Sequence, residues 1–107
     1  MALTATLIGT SNTTVYTSTN SNAITCMMVC NYHASSAANL TLYAVPNSAG
    51  SAGTAANTNM IIKTLTIPAG ETVSLDQEKL VLSNNDTIVA ISTVATALTI
   101  VISTLPV

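Results

Sequence analysis

Over residues 79–103, KLVLSNNDTIVAISTVATALTIVIS, apolar and polar positions alternate or run β-branched, a pattern that predicts three consecutive strands. Leu80 and Leu82 alternate with Val81 and Ser83, Ser83-Asn84-Asn85-Asp86 supplies turn chemistry, and the run from Thr87 to Thr93 forms the next strand. Asn tolerates positive φ best after Gly, so Asn84 and Asn85 predict a two-residue hairpin joining 80–83 to 87–92. A second turn, Val94-Ala95-Thr96-Ala97, returns the chain through Leu98, Ile100 and Ile102 on one face and Thr99, Val101 and Ser103 on the other. A three-stranded sheet with one apolar face needs a second layer, which the rest of the chain must provide.

The remaining segments read the same way. Residues 2–8 set Leu3, Ala5 and Leu7 against Thr4, Thr6 and Ile8, and a Thr-rich second strand follows at 13–19. Residues 23–33 are apolar on both faces. Ile24, Cys26, Met28, Cys30 and Tyr32 line one, and Ala23, Thr25, Met27, Val29 and Asn31 the other, the mark of a central strand or one covered by a partner. A small-residue turn leads to a strand at 40–45. Residues 46–59, PNSAGSAGTAANTN, have no pattern and exceed common loop lengths, so they are either disordered or used for binding. A strand at 60–67 sets Ile61, Leu65 and Ile67, beside Lys63, against Met60, Ile62, Thr64 and Thr66; Pro68-Ala69-Gly70 closes it in a type I turn. A short strand at 71–75, an acidic loop at Asp76-Gln77-Glu78 and a tail at 105–107 whose proline ends pairing complete the chain. The expected fold is all-β: a single β-sandwich domain over 1–107, jelly-roll or immunoglobulin-like, of about eight short antiparallel strands.

Charge changes the picture more than length does. Charged residues are 6% of the chain against a usual ~25%, and Lys63 and Lys79 are the only cations apart from His33. The exterior must therefore be largely Ser, Thr and Asn, with little repulsion between copies, which suits a surface covered by neighbouring subunits. Two lysines cannot neutralise the phosphates that nucleic-acid affinity requires, and no apolar run reaches the ~20 residues of a membrane-spanning helix. The opening MALTATLIGTSN lacks a basic region, so synthesis and retention in a cytosol are expected.

Candidate chemistry is sparse. Cys26 and Cys30 on one strand lie ~13 Å apart at ~3.3 Å per residue, too far for a disulfide, and read as free thiols acting as small apolar residues. His33 completes no zinc set and has no Ser or Asp partner for catalysis. Glu71, Asp76, Glu78 and Asp86 lack the run of a calcium loop, and Tyr16, Tyr32 and Tyr43 are few for stacking sugars. No enzyme, cofactor or metal site is expected.

The run TLTIPAGETVSLDQEKLVLSNNDTIVAIST…LTIVISTLPV resembles small virion structural proteins of tailed bacteriophages, including phages of cyanobacteria. The shared features are a strand ending in Ile-Pro-Ala-Gly-Glu, a short strand, a Leu-Val-Leu strand, an Asp-Thr-Ile turn into the next strand and a final strand at the C-terminus. ALTATLIGTSNTTVYTS and AITCMMVCNYHASSAANLTLYAVP fit as an opening strand pair and a strand pair around a small-residue turn. Relatives often carry Gly before the Asp of that turn, where this chain has Asn85. The resemblance implies a non-enzymatic capsid decoration or cement protein located in the virion. Its partners would be the major capsid protein or other virion subunits and copies of itself, with no nucleic acid and no membrane. Contacts are expected at Leu3, Thr4, Thr6 and Ile8 in the first strand and at Asn47, Ser48, Asn57 and Asn59 in the long loop. A tail, neck or fibre-attachment subunit and a host- or carbohydrate-binding module remain the alternatives.

Overall fold

The computed structural model describes residues 2–75 and 80–107; the expected acidic loop at 76–78 lies outside them. Among the described residues there are nine strands: β1 (Ala2–Leu7), β2 (Thr13–Thr17), β3 (Asn22–Asn31), β4 (Ala38–Val45), β5 (Met60–Ile67), β6 (Thr72–Ser74), β7 (Leu80–Leu82), β8 (Thr87–Ser92) and β9 (Leu98–Pro106). They pair antiparallel in two sheets. Sheet A has the order β1-β9-β3-β6, with β7 also on β3, and sheet B the order β2-β8-β4-β5. Since β6 pairs with one half of β3 and β7 with the other, they act as a single interrupted edge strand.

The chain changes sheet between most successive strands, staying within one only from β4 to β5 and along the β6–β7 edge. That interleaving is the jelly-roll form of the expected sandwich rather than the immunoglobulin form. It also corrects two expectations. The turn at 83–86 exists, with Asp86 N donating to Ser83 O at 3.1 Å and Asn85 at φ 68°. Yet it joins β7 in sheet A to β8 in sheet B, so it is a corner and not a hairpin. The loop at 93–97 likewise carries the chain from sheet B to sheet A. The three strands never form a sheet of their own, because each finds more apolar surface to bury by pairing with distant strands on either side of the shared core.

Inward positions of both sheets meet in one aliphatic core that includes Ile24, Met27 and Val29 of β3, Leu40 and Leu42 of β4, Ile88 and Ala90 of β8, and Leu98, Ile100 and Ile102 of β9, all essentially solvent-free. Burying each large side chain contributes roughly 1.5–3 kcal/mol before the entropy of ordering is charged against it. Among the described residues no buried side-chain nitrogen or oxygen lacks a partner. Asn31 shows how. Fully buried at the end of β3, it donates Nδ2 to Ile67 O at 2.8 Å and Ser36 O at 3.0 Å, and its Oδ1 accepts from His33 N at 3.0 Å.

Three strands carry extra residues that reset their phase. In β3 the pairing with β9 slips between Ile24 and Cys26, so Ile24, Met27 and Val29 point inward while Cys26, Met28 and Cys30 point outward. Strict alternation placed Ile24 with the cysteines; the bulge at Thr25 overrides it. In β2 the slip falls at Val15. In β5 extra residues put Ile62, Leu65 and Ile67 inward, leaving Ile61, Lys63 and Thr64 exposed, where alternation had grouped Ile61 with Leu65. The turn after β5 runs from Pro68 to Glu71, with Glu71 N donating to Pro68 O at 3.1 Å. Gly70 sits at its third position with φ 79°, one residue earlier in the turn than the type I reading put it and as a type II turn requires. Pairing also persists further than expected at the end of the chain: Asn22 still faces Pro106, whose missing N–H costs nothing at a strand's last position.

Thr64 holds φ 54°, a left-handed conformation that a β-branched residue adopts only under strain. Thr64→Gly is expected to stabilise the chain by about 1 kcal/mol in urea denaturation, the reverse of the usual effect of glycine in a strand. Asn31→Ala, which leaves Ile67 O and His33 N without their partner, is expected to cost about 2–3 kcal/mol in the same assay.

Candidate assembly surface

The two outer faces of the sandwich differ in how much large apolar surface they leave exposed. On sheet B the outward side mixes Thr14, Asn39, Thr41 and Thr66, the last donating to Asn39 Oδ1 at 2.8 Å, with Tyr43, Val89 and Ile91, which are buried or half-buried. On sheet A the ladder sets large apolar residues among small and hydroxyl-bearing ones. Ala5, Val101, Met28 and Ser74 form one row across four strands. The row on one side runs Leu7, Thr99, Cys30 and Thr72, and the row on the other runs Leu3, Ser103 and Cys26. Leu105, Ala23 and Val81 extend the face beyond them.

Six of the nine large hydrophobics that are exposed among the described residues lie here: Leu3, Leu7, Met28, Val81, Val101 and Leu105. Leu3 is 74% exposed and Val81 70%. None of the strands of sheet A contains a charged residue. A solvent-facing sheet ordinarily alternates apolar inside with polar outside, so a cluster of exposed large hydrophobics on the outer side signals an interaction surface.

At one end of the sandwich the corner at 83–86 gathers three loops. Asp86 Oδ1 accepts from Asn47 N at 2.7 Å and Asn47 Nδ2 at 3.0 Å, and Oδ2 from Ser83 N at 2.9 Å. Asn84 Oδ1 accepts from Asn20 N at 3.0 Å, and Asn85 Nδ2 donates to Gly50 O. Slight burial works against the Asp86 charge, but the hydrogen bonds from Asn47 and Ser83 outweigh it and hold the carboxyl below its ordinary value. The loop at 46–59 is thereby tied to the corner. It is further shaped by a Ser48–Ser51 bridge, by Gly53 packed so close to the Pro46 carbonyl that no Cβ would fit, and by Asn59, whose side chain bonds Ala56 N and Thr54 O.

The residues expected to make contacts are scattered by this arrangement. Leu3 lies on the apolar face, whereas Thr4 and Thr6 point between the sheets, Thr6 Oγ1 toward Val15 O at 3.5 Å. Ile8 is fully buried and belongs to the core, its N–H donating to Leu98 O at 2.9 Å, so it leaves the surface set. Asn47 and Asn59 direct their side chains to their own loop and corner, while Ser48 and Asn57 are exposed. Alternation within 2–8 split the leucines from the threonines correctly, but which side faced water was not in the pattern.

Among the described residues, chemical groups do not converge elsewhere. Cys26 and Cys30 are free thiols on the outer face of sheet A. His33 Nδ1 accepts from Ser35 N at 3.2 Å and Ser36 N at 3.1 Å, which puts the ring proton on Nε2 and makes the imidazole a loop cap. Among the described residues no three His, Cys, Asp or Glu side chains gather as a metal site. A cavity of about 300 Å³ opens between Met27, Leu42, Ile61, Ile62, Leu65 and Leu75, and its lining is wholly aliphatic or thioether. Tyr16 packs against the core and Tyr32 lies past the end of β3 in the other sheet, so the three tyrosines do not form one stacking surface. Among the described residues no helix is long and apolar enough to cross a membrane.

No protein-family model and no curated protein matches the chain. Its fold is similar to that of a solved structure described under the words "Bacillus endospore appendages form a novel family of disulfide-linked pili", at 11% identity and a TM-score of 0.51, over 99% of this chain and 84% of that one.

The Asp86 corner has a pH signature. Because the carboxyl titrates lower in the folded chain than in the unfolded one, its contribution to stability is present above the ordinary aspartate value and is lost as pH falls through the folded value. Asp86→Asn is expected to lower the urea midpoint at neutral pH and to flatten the decline of that midpoint below about pH 4. An unchanged acid branch in the variant would show that the corner does not depend on the charge.

Proposed function

We propose that this chain is a non-enzymatic structural subunit that works by packing against neighbours, and that its place is the virion of a tailed bacteriophage. There it acts as a capsid decoration or cement protein, lying on the shell and bridging capsomers. The observation that carries the structural reading is the outer face of sheet A, where Leu3, Leu7, Met28, Val81, Val101 and Leu105 stand exposed and no strand contains a charged residue. Such a face is stable in water when a partner covers it. The placement in a phage particle rests on the resemblance of the run within 60–107 and the two earlier segments. Partners are then the major capsid protein or other virion subunits, together with copies of this chain. The free edge of β1, regular and without Lys, Pro or a bulge, offers a place for strand addition by a terminal arm.

A second reading is a subunit of a filament or of a tail, neck or fibre. It is favoured by the likeness to a pilus structure, whose title describes pili that are disulfide-linked. In this chain both thiols are free.

Cryo-electron microscopy of the particle that carries the chain separates these readings. Copies spread over the shell between capsomers are expected. A single ring at the neck or tail, or a continuous filament, would replace decoration with the second reading, and absence from any particle would remove both.

A further inference from the structure

The apolar face of sheet A has three properties that together select its occupant. It is uncharged, it is broad, and its relief is mixed. A partner recognised by charge has nothing to bind here, since β1, β3, β6, β7 and β9 contain no Asp, Glu, Lys or Arg. Two copies of the face can meet without burying a charge or opposing like charges, which is the condition that self-pairing most often violates.

The area reaches the lower limit. Six residues of β1, nine of β9, ten of β3 and three each of β6 and β7, at ~3.3 Å rise and ~4.8 Å spacing, give a flat footprint of roughly 490 Å² per copy. Two such faces bury roughly 1,000 Å², the size at which a specific interface begins. The relief also suits a two-fold contact. Leu3, Leu7, Met28 and Val101 stand among Ala5, Cys26, Cys30 and Ser103, so each row mixes large and small side chains, and a large one on one copy has space beside a small one on the other. Sheets that pack face to face do so through such interdigitation, about 10 Å apart.

We infer that the chain forms a two-fold symmetric dimer in which the outer faces of sheet A from two copies pack on one another, with the Met28 row at the centre. The inference deepens the reading of the chain as an assembling subunit, and names a second copy as the first thing it assembles with. The dimer converts two jelly rolls into a four-layered unit whose exterior is the outer face of sheet B on both sides. Cys26 and Cys30 become interfacial. With the sheets ~10 Å apart, the backbones of facing strands are beyond the ~5.5 Å that a disulfide needs, so the dimer does not require oxidation.

Sedimentation velocity on the full chain tests this. The expected result is a reversible dimer with a dissociation constant on the order of 1 µM, as an interface near the lower size limit gives. Met28→Glu, which sets two carboxylates against each other at the centre, is expected to weaken it by about tenfold or more. Leu3→Glu, on an exposed edge position that cannot disturb the core, is expected to weaken it in the same direction. It decides the matter if circular dichroism shows Met28→Glu to be misfolded. Ile61→Glu, an exposed hydrophobic of sheet B, should leave it unchanged. The maleimide reactivity of Cys26 and Cys30 should fall as chain concentration rises. A wild-type chain that stays monomeric to ~100 µM, a dimer indifferent to Met28→Glu and Leu3→Glu in folded protein, or thiol reactivity independent of concentration would each overturn the inference. A chain found on a particle yet monomeric alone would overturn the dimer and leave the structural role standing, whereas a dimer absent from any particle would do the opposite.

Discussion

The whole architecture depends on which side of each strand faces the other sheet. In a strand that choice is binary, and a slip of one residue exchanges the buried set for the exposed set. The protein makes the choice locally, with single extra residues at Val15 in β2 and Thr25 in β3 and more than one in β5. At Thr25 the consequence is largest. It aligns Met27, Val29 and Asn31 with the core and turns Cys26, Met28 and Cys30 outward beside Val101, so one inserted residue produces both the packed interior and the apolar exterior.

With so little charge, the ends of the sandwich are held by amides and hydroxyls. Asn31 binds the loops at one place, and the Asp86–Asn47 cluster binds those at another. Such bonds are short-ranged and directional, and each contributes about 1 kcal/mol net. They fix geometry without creating the long-range repulsion that keeps highly charged proteins apart. The same composition that permits close approach of copies therefore still allows a unique set of loop conformations.

Much of this was legible in the chain. Period-two alternation located nearly every strand, and the both-sided apolarity of 23–33, read as a central strand or one covered by a partner, falls on β3, an inner strand of sheet A. What escaped was phase and pairing. Nothing in AITCMMVCN marks Thr25 as the extra residue, because Thr is as good a strand former as its neighbours. The Asn84-Asn85 turn was recognised by its chemistry, but a tight turn serves a corner between sheets as readily as a hairpin within one, and only distant partners decide. The outer face of sheet A was hidden for the same reason. Leu3, Met28 and Val101 come from strands far apart in sequence, and become one surface only when β9 lies between β1 and β3.

That position of β9 also orders events in time. β1 and β3 are synthesised some seventy or more residues before the strand that must lie between them, and neither can complete its ladder until it arrives. Closing contacts over such separations is slow, and the waiting chain exposes two unpaired strand edges and an apolar sheet surface. A nascent chain in that state is a substrate for chaperones and for pairing with its own kind. A cell producing many copies therefore faces a race between insertion of β9 within each chain and strand exchange between chains.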